Sequence, residues 1–230
     1  MPSRLGWTYM RIVGACILLA LCADGVEAQH VGWSIGFSSS GVDWLYPPPA
    51  PSDYPQIIGG SSNTDRKSVT VAGSVRHELR SWFSAGSGLR LVPKGFEVTG
   101  PTFHMIYAEV PVLGMFHTGR GSGLFAEGGG LIGARIHCRR FFTGVDGPHE
   151  DGCGRFSNAS YDLTPLRRVD LSWVVGLGAR LGSPSDGWWG VVARLQRSFI
   201  DLDPEQRGET MVNRVLTISM FFERPSFAGR

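Results

Sequence analysis

The sequence predicts an all-β fold, an eight-stranded antiparallel up-and-down transmembrane β-barrel. Three observations carry this. First, Ile106 to Cys138 reads as two alternating segments around the Gly-rich turn HTGRGS, a β-hairpin pattern. Second, eight such segments follow one another, with no convincing amphipathic helix and with connections that run long, short, medium, short, long, short, medium. An outer-membrane barrel has this asymmetry, because its periplasmic turns are brief and its outer loops extended. Third, the polarity is inverted. One face of each segment is continuously apolar while the other carries charges in mid-strand, as expected where the apolar face meets lipid and polar side chains fill the inside.

Taken in order, Val31 to Phe37 sets Val31, Trp33, Ile35 and Phe37 against Gly32, Ser34 and Gly36. From about Ser39 to Lys67 the chain is rich in Pro, Gly, Ser, Asn and Asp, which predicts a long loop. Val69 to Leu79 places Val69, Val71, Val75 and Leu79 opposite Thr70, Ser74, Arg76 and Glu78. His77 falls on the apolar face near its end. After a short turn, Phe83 to Val92 opposes Phe83, Ala85, Leu89 and Leu91 to Ser84, Gly86, Gly88 and Arg90, and Pro93 to His104 is expected to be a loop of medium length.

In the central hairpin Ala108, Val110, Val112, Gly114 and Phe116 share one face, with Tyr107, Glu109, Pro111 and Met115 on the other. Its second arm puts Ala126, Gly128, Gly130, Ile132, Ala134 and Ile136 outward, and Glu127 and Arg135 inward. Arg139 to Arg168 is polar and turn-rich. Val169 to Leu181, Trp188 to Phe199 and Asn213 to Glu223 complete the set, with Asp170, Arg180, Arg194 and Gln196 on the less apolar faces. Arg197 interrupts an apolar face and is expected to mark its upper edge. Trp82, Trp188 and Trp189 fall at the short turns, where an aromatic girdle is expected.

The first residues follow a secretory plan, with Arg4 and Arg11 before an apolar core from Ile12 to Cys22 and small residues near Ala28. Residues 1–28 are thus expected to be a removed signal peptide and residues 29–230 the barrel domain. The apolar run is about half of the roughly 20 residues that cross a bilayer as a helix. A lipoprotein signal at Cys16 or Cys22 fits poorly, because Leu21 is bulky and Cys16 comes early in the apolar core. The net charge of +2 gives no reason to expect nucleic acid as a partner. Glycine, at 32 of 230 residues, is high and often falls at alternate strand positions, where it permits curvature and close packing.

The segments YAEVPVLGMF, GLFAEGGGLIGARI, LSWVVGLGARLG, VVARLQRSFIDLDP and NRVLTISMFFE resemble, in order and spacing, the PorT-like outer-membrane β-barrel family. The resemblance implies an eight-stranded barrel in a Gram-negative outer membrane and supplies no catalytic residues. The loop cysteines and the stretch from Pro225 to Arg230 depart from that pattern.

Cys138 and Cys153 remain after processing and predict a disulfide in an oxidising compartment. A zinc site using His137, His149, Asp146, Glu150 and Asp151 is the weaker alternative, since the spacing matches no standard ligand pattern. The Gly-rich runs lack the Lys-Ser/Thr of a phosphate loop. No cofactor or resident metal is expected. His77, His104, His117 and His137 are scattered at strand ends without a serine two residues away, which argues against a lipid-modifying enzyme. A secreted lipocalin-like barrel would need an apolar interior and outward-facing charges.

Face assignment instead sends Glu109 and Glu127 into a narrow lumen. They are expected to be matched by the inward arginines Arg90, Arg135 and Arg194, with Arg135 above Glu127 and arginine favoured over lysine as the partner. The function expected is structural or surface-interacting, without catalysis, with the lumen closed by this charge network. The expected partners are outer-membrane lipid and an envelope protein or extracellular ligand met by the outer loops.

Overall fold

The computed structural model describes residues 29–45, 64–97, 102–119, 121–144, 147–152, 167–183, 185–201 and 210–226. The expected signal peptide and Cys153 lie outside them. The strands are β1 (Gln29–Leu45), β2 (Thr64–Arg80), β3 (Phe83–Glu97), β4 (Thr102–His117), β5 (Gly123–Gly144), β6 (Gly147–Gly152), β7 (Val169–Ser183), β8 (Gly187–Ser198) and β9 (Thr210–Pro225). All pairings are antiparallel, in the order β4-β3-β2-β1-β9-β8-β7-β5-β6, and β4 also pairs with β5. The last pairing closes the sheet. β6 pairs with the far end of β5, so the nine strands make eight staves and one extension of a hairpin.

The alternation read from the sequence sets the inside and outside of this cylinder. Trp33, Ile35, Phe37, Leu177, Ile218 and Met220 point outward, with Phe37 77% and Leu177 71% exposed. Glu109, Asp170 and Arg180 are each only 1% exposed. The exterior is thus apolar and the interior charged, opposite to a soluble barrel. Because the charges face inward, the lipocalin-like alternative loses the outward-facing charges it requires.

Strands run further than the alternation indicated. The expected medium loop at Pro93–His104 is mostly strand: β3 continues to Glu97, β4 starts at Thr102, and the two pair up to Glu97↔Thr102. Pro93 misled the reading because a proline tolerated in a closed barrel looks like a strand end. β5 likewise reaches Gly144, inside the stretch expected to be loop. A bulge makes this possible: Ile106 pairs with His137 and Tyr107 with Arg135, so Ile136 is extra. It shifts the inward set on β5 from odd to even positions, and Arg140 is buried beyond it while Ile136 is 60% exposed.

At the short-turn end, Gly182 (φ 131°) and Gly187 (φ 95°) flank the β7–β8 turn in conformations that disfavour a side chain. Ser183 Oγ donates to Asp186 Oδ2 at 2.7 Å and accepts from Asp186 N at 3.2 Å within it. Two exterior aromatic groups stand at this end. Trp82 stacks on Phe116 at 5.9 Å, and Trp189 lies 4.4 Å from Phe222 and 6.3 Å from Trp33. Trp188 is the exception to the expected girdle. It is completely buried, because adjacent strand residues face opposite sides and only Trp189 can face out.

Candidate functional site: the charged lumen

Eight staves enclose a space that side chains can fill, and here charged and polar side chains enter it in three layers. The layer nearest the long loops centres on Lys94. Parity along β3 aims Arg90, Val92 and Lys94 inward, and the strand's continuation past Pro93 delivers the ammonium to the axis. Lys94 Nζ lies 2.6 Å from Glu109 Oε1 and 2.5 Å from Asp170 Oδ2. Asp170 also accepts from Ser172 Oγ (3.1 Å), Ser198 Oγ (2.6 Å) and Asn213 Nδ2 (3.1 Å). Gln196 Nε2 donates to Glu109 Oε1 at 2.8 Å, and the Lys94 ammonium sits over the Tyr107 ring at 4.6 Å. Four donors, Lys94 Nζ, Ser172 Oγ, Ser198 Oγ and Asn213 Nδ2, thus meet the Asp170 carboxylate in a dry space, where an unpaired one would be costly.

The middle layer is the Glu127–Arg194 pair, bonded through Arg194 Nε to Oε1 and through Nη2 to Oε2 at 3.2 Å. These residues lie on β5 and β8, with Gly176 of β7 opposite both. A Cβ at Gly176 would come within 2.8 Å of Glu127 Oε1, so the glycine makes room for the bond. Arg90 lies opposite Glu109 on the neighbouring strand, with Nη1 3.9 Å from Oε2.

The third layer lies at the short-turn end. Trp188 is held between the guanidinium groups of Arg76 (4.7 Å) and Arg180 (4.6 Å), with His30 4.5 Å away. Arg76 also pairs with Glu223, and Arg180 Nη2 donates to Gly119 O at 2.8 Å. Cation–π contacts of this kind are worth about 2 kcal/mol or more when desolvated.

Of the residues singled out from the sequence, Arg90, Glu109, Glu127 and Arg194 come together in the lumen. Arg135 does not join Glu127. It sits opposite Tyr107, eight residues along β5 from Glu127, which is opposite Met115, and its Nη1 has no hydrogen bond among the described residues. The preference for arginine over lysine is also corrected, since Lys94 holds two carboxylates. It was missed because it lay in the presumed loop; its odd-even phase with Arg90 was the available signal. Cys138 is described, but its expected partner Cys153 is not.

The sequence reading also missed a serine and histidine brought together across β3 and β4, with Ser84 Oγ and His117 Nε2 2.7 Å apart. Among the described residues His117 Nδ1 has no hydrogen-bond partner, and a triad would need an acid there.

Fold and site together define a closed, eight-stranded antiparallel barrel with an apolar exterior and an ion-paired interior. No family model matches the chain, and no curated protein matches it, so the PorT-like likeness stands on the strand segments alone. Among solved structures it is similar to Ail, the attachment invasion locus protein of Yersinia pestis (14% identity, 84% of this chain and 97% of that one covered, TM-score 0.40). Ail in complex with the heparin analogue sucrose octasulfate gives 13% identity, 85% and 98% coverage and a TM-score of 0.42. The N-terminal β-barrel domain of Pseudomonas aeruginosa OprF gives 10%, 81% and 96%, and 0.28. The barrel assignment rests on this chain's own strand pairing.

Proposed function

We propose that this chain is a small outer-membrane barrel that presents its long loops at the cell surface and whose lumen is plugged by the charged layers, without catalysis. The observation that carries it is the inverted polarity, with a belt of outward Val, Ile, Leu, Phe and Met around buried ion pairs. Lipid is the solvent such an exterior fits, and a barrel satisfies its backbone groups there. The aromatic groups at the short-turn end mark one interface. At the other end the apolar belt gives way to the ion pairs Asp43–Arg197 (3.2 Å) and Asp65–Arg214 (3.2 Å), which suit water or head groups.

In this placement the turns after β2, β4 and β7 face the periplasm, and the connections after β1, β3, β6 and β8 face outward with any envelope-protein partner or extracellular ligand. The segments that resemble the PorT-like family support the same compartment. A disulfide from Cys138 to Cys153 would fasten the outer hairpin. Fractionation tests the reading: the native protein should sediment with outer membranes and need detergent for release. Recovery in the soluble periplasm would overturn it.

A further inference from the structure

The wall between β3 and β4 is interrupted at one level. Pairing runs from Phe83↔Phe116 to Ser87↔Val112 and resumes in the same register at Arg90↔Glu109, leaving Gly88 and Leu89 unpaired with Val110 and Pro111. Pro111 gives the reason, since it has no N–H to donate. Its carbonyl accepts instead from Ser87 Oγ at 2.8 Å. The interruption lies within the apolar belt, flanked by Leu89 and Val112, which are 54% and 57% exposed.

Directly behind it is a cavity of about 50 Å³, with Ser87 and Pro111 on the wall side and Arg76, Arg90 and Arg194 on the lumen side. Arg90 is 6% exposed, and its carboxylate neighbour Glu109 stands 3.9 Å away, beyond hydrogen-bond distance. Among the described residues Arg76 Nε has no hydrogen-bond partner. A buried guanidinium carries five N–H donors, and leaving them unmatched is rare enough to require an acceptor. Arg76, Arg90 and Arg194 are matched by Glu223, Glu109 and Glu127, but Lys94 shares Glu109 with Arg90, so with Arg180 and Asp170 counted the three layers hold five cations against four carboxylates, one positive charge in excess. Along the axis the cavity lies between the Trp188 layer and the Lys94 layer, so the interrupted seam is the short path to it.

We propose that this cavity binds the head group of a single-chain anionic amphiphile of the fatty-acid class, which enters from the bilayer between β3 and β4. The carboxylate accepts from Arg90, and the acyl chain stays in the membrane against the seam. Size sets this division: a single water needs roughly 10–15 Å³ of such space, so the cavity holds a head group of a few atoms and no chain. The excess of one positive charge matches a monoanion. The proposal rests on the membrane placement above.

The test uses the folded full barrel in nanodiscs, with dodecanoate, dodecanol and inorganic phosphate as probes and carboxyl-labelled NMR as the readout. Dodecanoate should bind saturably, and Arg90→Met should weaken it by about tenfold or more, the scale of a hydrogen bond to a charged group. Pro111→Val, which restores the N–H and alters no charge, should weaken it similarly and keeps the test informative if Arg90→Met does not fold. Dodecanol should bind at least about tenfold more weakly and phosphate not at all. Absence of saturable dodecanoate binding to an inserted barrel, equal binding of dodecanol, or phosphate binding that Pro111→Val leaves intact would each overturn the proposal while sparing the membrane placement. A protein that will not enter nanodiscs would overturn both.

Discussion

The Lys94 ammonium lies 2.6 Å from Glu109 Oε1, with both side chains sealed from solvent. Removing the cation would leave Glu109 and Asp170 facing each other in a dry space. Lys94→Met should therefore destabilise the barrel by about 3–5 kcal/mol, whereas removing the exposed Arg197 from Asp43 should cost at most about 1 kcal/mol. Urea unfolding of the two variants in detergent checks this. Equal small losses would show that Lys94 is not buried between charges.

Gly176→Ala places a methyl group against the Glu127 carboxylate and should cost about 1–3 kcal/mol by overpacking. Gly73→Ala is the control, because nothing lies within 4 Å of the added Cβ. The difference in unfolding midpoints is the measurement, and a neutral Gly176→Ala would contradict the bidentate pair.

Neighbouring tryptophans should report opposite environments. Brominated lipid should quench Trp189, which is 54% exposed on the exterior, and spare Trp188 in the lumen. Replacing Trp189 with Phe should then remove part of the quenching, and replacing Trp188 should not. The reverse result would invert the faces of β8.

A bond between Cys138 and Cys153 would restrict the unfolded chain and contribute about 3 kcal/mol. Mass spectrometry of non-reduced peptides should find the linked pair. Two unmodified thiols in protein taken from the envelope would reject it.

Period-two alternation made the staves and their faces readable, because a one-residue slip would turn every apolar residue inward. Glu109, Glu127 and Arg194 were placed in the lumen on that basis alone. Partner choice was not readable, because it depends on strand tilt and register between strands far apart in sequence, as with Gln196 and Glu109. Pro93 imitates a strand end and so hides Lys94, and alternation along β5 does not give the level at which Arg135 stands relative to Glu127. Position along the chain puts Trp188 and Trp189 together, although the pleat separates them. The Ser87–Pro111 contact needs the β3–β4 register, which no single strand reveals.

The central claim is that paired charges close the barrel. Conductance of the purified protein in planar bilayers tests it most directly. The account predicts no large steady channel in the native protein, and more frequent openings in Lys94→Met, where the layer holding Glu109 to Asp170 is broken. Large steady channels from the native barrel would contradict it.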